Sequence, residues 1–288
     1  MKITVKKIGY FFLSFYFSTY LYSAFEQRYS SARVASLSGA FVALSNDSSA
    51  IYYNPGGLRR IVSICDVSTT HCNLYGFNEL SYMVGSFALY LKNFGTVGLS
   101  YNQFGDSIYG ETEFYFSHGF YLTKNLAFGY TMKNMALKIK EYGSGNAVGF
   151  DCGFIGNVKD NISIGSSATN FNGPNVGSKA ELVSKNFQIG ISLKVLERIT
   201  SNLDVSKSDD FDGITLHISE EINLLKIFAV RFGVRTQPTS FSSGFGLKNK
   251  NIGIDYGYIL HPVLGGTHLF SLSLKLETHK NPTLKCVK

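Results

Sequence analysis

The 288-residue chain contains no tryptophan, only five prolines and four cysteines, and no apolar run of helix-spanning length after residue 24. Any membrane crossing beyond that point would therefore have to be made by strands. Motifs that carry chemistry are missing as well, including a nucleophile elbow, a phosphate loop, a zinc-binding helix and a paired-cysteine site. The sequence thus predicts a protein that is not an enzyme and that has no catalytic residues, metal or cofactor.

The first 24 residues have the pattern of a secretory leader. A basic start is followed by an apolar run from Ile8 to Tyr22 and by a small-residue exit at Ser23-Ala24, which predicts a signal peptide over residues 1–24. The mature chain is expected to begin near Phe25. Because Tyr22 is bulky for a leader peptidase, a cut a few residues away is an alternative, and an uncleaved anchor is another.

The charge of the mature chain is small. The leader removes three of the 27 Lys and Arg residues, which leaves 24 of them against 20 Asp and Glu. These charges are scattered singly and do not form basic stripes with interleaved aromatic residues, as a groove that follows phosphates would require. The sequence therefore predicts no nucleic-acid partner.

Alternation of large apolar with small or polar residues dominates the chain after Leu58. In the clearest case, Phe187 to Val195, every second residue is large and apolar, and the residues between are Gln, Gly, Ser and Lys. A soluble β-sandwich and a membrane barrel both bury one face of each strand, so alternation alone leaves both open.

Three further observations favour the barrel. The segments recur at about the 9 to 11 residues that a membrane-crossing strand needs. Their second faces are polar, as a lumen would be, and aromatic residues gather at segment ends, for example at Tyr52-Tyr53 and Phe120-Tyr121. We predict an all-β, transmembrane antiparallel β-barrel of about 14 strands over residues 61–276, followed by a polar tail over residues 277–288.

Charged residues on the polar faces are candidates for a lumen lining. The adjacent carboxylates Glu220 and Glu221 point to opposite faces of a strand and cannot act as a catalytic pair unless the strand is broken there. Cys65 and Cys72 fall on or beside the first strand, roughly 23 Å apart if extended, and are expected to be free thiols. The lumen candidates are Asp151, Lys194, Arg231, Arg235 and Asp255.

The stretch from Ala32 to Leu58 is different in kind. It is rich in Ala, Gly and Ser and closes on the turn Asn54-Pro55-Gly56-Gly57. It resembles the start of the FadL-type transporters and, more closely, of the PorV/PorQ-type barrels, which open with a Gly-Ala-Phe-Val-Ala run, an acidic residue and an Asn-Pro-x-Gly turn. Gly39 to Ala43, Asp47 and Asn54 to Gly57 match these features, and Gly265 to His268 matches an element before the final strand.

This resemblance implies that residues 25–60 form a plug inside the barrel. In FadL-type transporters the N-terminal segment occupies the lumen and gates passage, so Arg33, Asp47 and Asn54 are expected to hold it against the inner wall. The residues assigned to the plug and its gating are Arg33, Gly39, Asp47, Asn54, Pro55 and Gly56.

The resemblance also implies the function. Because the chain is shorter than FadL transporters, we favour a PorV/PorQ-type outer-membrane protein linked to protein secretion or surface attachment, with secreted proteins or a secretion apparatus as partners. The alternative is a FadL-like passive transporter of long-chain fatty acids or other hydrophobic compounds, and a purely structural barrel is a third possibility. Each of these places the protein in the outer membrane of a Gram-negative-type bacterium, in contact with membrane lipid and with the outer-membrane assembly machinery.

Overall fold

The architecture was obtained as a computed structural model, which describes residues 24–177, 181–210 and 212–278. The chain forms one closed antiparallel barrel of 14 strands, which confirms the predicted fold class and strand number. Of the predicted leader only Ala24 is described, and of the predicted tail only residues 277 and 278. Cys286 lies outside the described residues.

Each barrel strand pairs with the next along the chain, and the first pairs with the last to close the wall. Two short strands, β8 and β9, form a separate sheet in the connection between β7 and β10. The strands are β1 (Ser63–Asn73), β2 (Ser81–Leu91), β3 (Gly95–Gly105), β4 (Tyr109–Tyr121), β5 (Leu126–Ile139), β6 (Gly143–Lys159), β7 (Ile162–Thr169), β8 (Asn175–Val176), β9 (Glu181–Leu182), β10 (Asn186–Leu196), β11 (Ile199–Ser208), β12 (Thr215–Leu225), β13 (Phe228–Thr236), β14 (Thr239–Asn249), β15 (Ile252–His261) and β16 (Gly265–Thr278).

The helical elements are short. None of the helices in the described residues is long and apolar enough to cross a membrane. They are α1 (Ala32–Ser36), α2 (Ala50–Tyr53) and the 3₁₀ helices Pro55–Arg60, Leu74–Gly76 and Asn78–Leu80.

The sequence alternation fixes which face of each strand turns outward. On β10, Ile189 is 63% exposed while its neighbour Gln188 is 4% exposed, and the other strands repeat this pattern of exposed apolar and buried small or polar residues. In a transmembrane barrel the apolar set faces lipid and the second set faces the lumen. The outer surface is thus an apolar belt.

The two ends of the barrel differ in their connections. At the turn end, neighbouring strands are joined by two to four residues, as at 160–161 and 122–125. At the loop end lie the longer connections, including residues 170–185, which carry β8 and β9. Single-chain outer-membrane barrels have short periplasmic turns and longer extracellular loops.

Two expectations about individual residues have different outcomes. Cys65 and Cys72 are both free and lie on β1, as predicted. The assignment of Tyr52-Tyr53 to an aromatic girdle was wrong, because both residues belong to α2 and are buried in the main hydrophobic core. An aromatic cluster of the expected kind lies instead at the turn end, where the Phe94 and His118 rings stack with centroids 4.4 Å apart.

Candidate functional site in the barrel lumen

Residues 24–61, called the lumenal segment below, lie inside the barrel. Helix α1 contacts β13 to β16, whereas the 3₁₀ helix Pro55–Arg60 contacts β3 to β6 on the opposite wall. The side chains of Val34, Phe41 and Ile51 are completely buried. The segment therefore spans the lumen from one wall to the other.

Local capping shapes the short helices of this segment. The Ser31 hydroxyl accepts a hydrogen bond from the Val34 amide at the start of α1 (3.3 Å), and the Asp47 carboxylate accepts one from the Ser49 amide ahead of α2 (2.9 Å). Asn54 caps the 3₁₀ helix Pro55–Arg60, which has Pro55 at its first position. Helices of four to six residues are not stable alone in water, so the barrel wall must hold them.

The turn at Asn54 to Gly57 sits on a patch of wall made only of glycine. Gly119, Gly129 and Gly153 are paired across β4, β5 and β6 and all face inward. A Cβ atom on Gly119 would lie 2.7 Å from the Pro55 carbonyl oxygen, and one on Gly129 would overlap the same carbonyl group. The turn can approach the wall this closely because these three positions carry no side chain.

Two polar side chains hold the backbone of the segment. The Asn54 amide donates to the carbonyl oxygens of Val42 within the segment and of Phe154 on β6, both at 2.9 Å. From the opposite direction, the buried Asp204 carboxylate on β11 accepts the amides of Phe41 (2.8 Å) and Val42 (2.9 Å). Hydrogen bonds to a carboxylate are about twice as strong as neutral ones.

A chain of alternating charges ties the segment to the wall on the far side. Arg33 donates to the Asp47 carboxylate (2.6 Å) and, through two nitrogens, to Glu221 on β12 (2.9 and 3.0 Å). Arg231 on β13 binds the same Glu221 (2.7 Å) and also Asp255 on β15 (2.6 Å). Two cations thus lie between three carboxylates, and Glu221 is the member that joins segment to wall.

The electrostatics inside the segment are those of a buried ion pair. Burial alone would raise the pKa of the Asp47 carboxyl, but the Arg33 and Lys275 cations lower it below its ordinary value. Burial alone would lower the pKa of the Arg33 guanidinium, but the Glu221 and Asp47 carboxylates raise it above its ordinary value. Both groups are charged at neutral pH and stabilise each other.

Two more ion pairs lie nearer the loop end. Arg28 of the segment donates to Glu111 on β4 (2.6 Å) and stacks 3.4 Å from the centroid of the Phe104 ring. Lys133 on β5 pairs with Asp151 on β6 at 3.0 Å, and both side chains are 4% exposed. These pairs line or border an open space inside the barrel.

That space is a cavity of about 430 Å³ at the loop end, above the segment. Its wall combines aromatic rings with polar and charged groups such as Glu113, His217 and Arg235. No cluster of three or more His, Cys, Asp or Glu in the described part of the chain is arranged to hold a metal ion. The aromatic residues that line the cavity are Phe25, Tyr29, Tyr52, Tyr53, Tyr75, Tyr82 and Tyr115.

The predicted lumen residues fall into different places. Arg231 and Asp255 belong to the charge chain, and Asp151 pairs with Lys133. Arg235 lines the cavity, with its guanidinium 5.8 Å from the Tyr29 ring centroid. Lys194 is exposed near the turn at residues 197–198, because it lies at the end of β10 and beyond the region that the segment fills.

The residues predicted for the plug lie on the path of the segment. Gly39 has a positive φ of 81°, and its carbonyl oxygen accepts a hydrogen bond from Gln188 (3.3 Å). Arg33, Asp47 and Asn54 make the contacts described above. Pro55 and Gly56 form the turn that sits on the glycine patch.

Sequence reasoning missed several residues that hold the segment. Glu221, Asp204 and Glu111 all face inward, and alternation with the apolar residues around them could have identified each as a lumen residue. The sequence marks the inward glycines Gly119, Gly129 and Gly153 only as small residues, and it does not indicate that the turn at Pro55 packs against them. Their signal is that they occupy the polar register of adjacent strands.

No protein-family model matches the chain, and no curated protein is similar to it in sequence. Solved structures are similar in fold. The toluene transporter TbuX of Ralstonia pickettii aligns with a TM-score of 0.62 and 12% identity, over 84% of this chain and 98% of that one.

Two further structures agree with this comparison. A Pseudomonas aeruginosa FadL homologue aligns with a TM-score of 0.61 and 11% identity, over 88% of this chain and 99% of that one. The toluene transporter TodX of Pseudomonas putida aligns with a TM-score of 0.62 and 10% identity, over 85% and 99%. The chain therefore has the fold of these FadL-type outer-membrane barrels.

Proposed function

We propose that the protein is a passive transporter of hydrophobic small molecules across the outer membrane, and that the lumenal segment is its plug. The cavity at the loop end carries this proposal. At about 430 Å³ it has the size of a small-molecule site. It lies at the end of the barrel that bears the long connections, where a molecule from outside would enter.

The lining suits molecules that are mainly apolar. Aromatic rings such as Tyr52, Tyr82 and Tyr115 offer large contact areas, and Leu269 and Ile259 add aliphatic surface. Transfer of apolar surface from water into such a site is favourable by roughly 25 cal/mol per Å² buried. Binding of this kind needs no energy source, which fits a passive route.

Below the cavity the segment would control onward passage. Its contacts with the wall include the glycine patch, the Asp204 and Asn54 hydrogen bonds, and the charge chain through Glu221. A molecule leaves the cavity towards the periplasm only when some of these contacts open. We infer that the residues holding the segment in place also set the rate of transport.

A pair of neighbouring substitutions tests the proposal. Thr169, the last residue of β7, lines the cavity, whereas Ala168 faces lipid. Thr169→Trp should fill part of the cavity and lower uptake of radiolabelled oleate or toluene into proteoliposomes several-fold. Ala168→Trp adds the same bulk on the outside and should leave uptake unchanged. Equal uptake by both variants, or no uptake above protein-free liposomes, would overturn transport through this cavity.

The secretion role of the PorV/PorQ type remains a prediction from the sequence motifs. Transport is preferred to it here because the similar solved structures are transporters and channels, which also supports a protein that is not an enzyme. The same purified barrel separates the two. Hydrophobic compounds extracted from it and identified by mass spectrometry support transport, whereas stoichiometric secreted proteins on a barrel without such compounds support secretion.

A further inference from the structure

Ala24 and Phe25 lie in an apolar pocket at the loop end of the barrel. Their side chains are only 5% and 6% exposed, although they come directly after the predicted leader. The pocket is lined by apolar residues of β5, β6, β8 and the connection after β9. These residues are Met135, Leu137, Ala147, Val176 and Val183.

The backbone nitrogen of Phe25 points at a carboxylate. It donates to Oε1 of Glu111 at 3.1 Å, and this contact is buried. The Tyr109 hydroxyl donates to the same oxygen (2.6 Å), and the Arg28 guanidinium donates to the other one (2.6 Å). The single buried carboxylate of Glu111 therefore binds the lumenal segment at two points near its start, Phe25 and Arg28.

The backbone of Phe25 is strained as part of a longer chain. Its φ angle is 65°, in the left-handed region that a bulky residue rarely adopts. This angle is a rotation about the N–Cα bond measured from the carbonyl carbon of Ala24. If the Ala24–Phe25 peptide bond is cut, the angle no longer exists and the strain disappears.

Carboxylates outnumber cations around Glu111. Together with Glu26, Glu113 and Asp210 it makes four carboxylates, against the three cations Arg28, Arg235 and Lys133. Glu26 and Glu113 both lie close enough to Glu111 for their like charges to interact. Among the described residues, Arg28 is the only cation that forms an ion pair with any of these three glutamates. One additional cation beside Glu111 would improve the balance.

We propose that a leader peptidase hydrolyses the Ala24–Phe25 bond and that the new α-ammonium group of Phe25 is a buried ion-pair partner of Glu111. Water adds across the peptide bond, so that Ala24 leaves with a carboxylate and Phe25 keeps its nitrogen, which takes up a proton. The amide hydrogen bond at 3.1 Å then becomes a charge-assisted one. Cleavage thereby anchors the segment; this inference rests on the predicted leader and not on the transport function.

The first measurement is the N-terminus of the protein purified from outer membranes, by intact mass and peptide mass spectrometry. We expect Phe25 as the first residue. A mature chain that begins at any other residue, or that keeps its leader, overturns the proposal.

The second measurement is a double-mutant cycle on refolded barrels that begin at Phe25 or at one added alanine before it. The extra residue turns the Phe25 nitrogen into a neutral amide and moves the ammonium one residue away from Glu111, so the melting temperature should fall by roughly 3 to 6 °C. In Glu111→Gln the same extension should cost less than about 1 °C. Glu113→Gln is the matched control and should keep the full loss. A loss that is equal in the Glu111 variant would show a steric cost and overturn the ion pair.

A third measurement covers the case in which the extended chain does not fold. The α-amine of the chain that begins at Phe25 should react with an amine-reactive ester at least tenfold more slowly in the folded barrel than in urea. Glu111→Gln should remove part of this protection. Equal reaction rates in the folded and unfolded protein would overturn the burial of the ammonium group.

Discussion

Glu221→Gln should release the lumenal segment from the far wall of the barrel. Glu221 receives two hydrogen bonds from Arg33 and one from Arg231, and its side chain is 11% exposed. Removing one member of a buried ion pair costs about 3 to 5 kcal/mol, and the amide retains part of the geometry, so we expect about 3 kcal/mol. Docking of the segment would then weaken roughly 150-fold.

The assay is single-channel conductance in planar bilayers, together with the melting temperature in detergent. Glu221→Gln should show frequent open events and a lower melting temperature than the unmodified protein. The neighbouring Glu220 is the matched control, because it faces outward between Phe232 and Ser201, and Glu220→Gln should change neither property. If both variants conduct alike, the charge chain does not hold the segment and the reasoning is wrong.

Three other perturbations test the remaining contacts. Gly129→Val should displace the turn on the glycine patch at a cost of about 1 to 3 kcal/mol and raise conductance, whereas Gly85→Val, at an open outward site, should not. Asp204→Asn should lower the urea midpoint of unfolding by the equivalent of about 0.5 to 1.5 kcal/mol, because it weakens the two hydrogen bonds that the side chain accepts from the Phe41 and Val42 amides. Acid should open the barrel: the Asp47 carboxyl has a folded pKa below its ordinary 3.8, so its stabilisation is present above that value and is lost as pH falls through the folded pKa. Conductance recorded at pH 7 and then at decreasing pH below 3.8 checks this, and a conductance that stays unchanged down to the pH at which the barrel itself unfolds would contradict it.

Period-two alternation was sufficient to predict the wall. A strand side chain must face one of two sides, so a regular pattern of large apolar residues assigns the outer face and leaves Arg231 and Asp255 on the inner one. The strand number follows from segment length and turn signals. Strand facing, segment length and turns are set by residues close together in the sequence, so they can be predicted from it.

Contacts across the lumen could not be predicted in the same way. Alternation gives the face of a residue but not its height in the barrel, which is why Lys194 was proposed for the lumen and lies exposed near the turn end. The partners of Arg33 depend on which strands closure brings around α1, and that is a property of the whole wall. Tyr52-Tyr53 shows the same limit, because aromatic residues suit both a membrane interface and a buried core.

The position of the lumenal segment has a consequence for the order of assembly. The segment touches β3 to β6 with one end and β13 to β16 with the other. Strands β7, β10, β11 and β12 join these two groups on one side of the barrel, and on the other side they are joined only once the seam between β1 and β16 has closed. The segment therefore reaches all of its contacts with the wall only when the seam closes, and the closed barrel then holds the segment inside. Helix α1, near the beginning of the folded chain, receives its final surroundings only when the last strand is added.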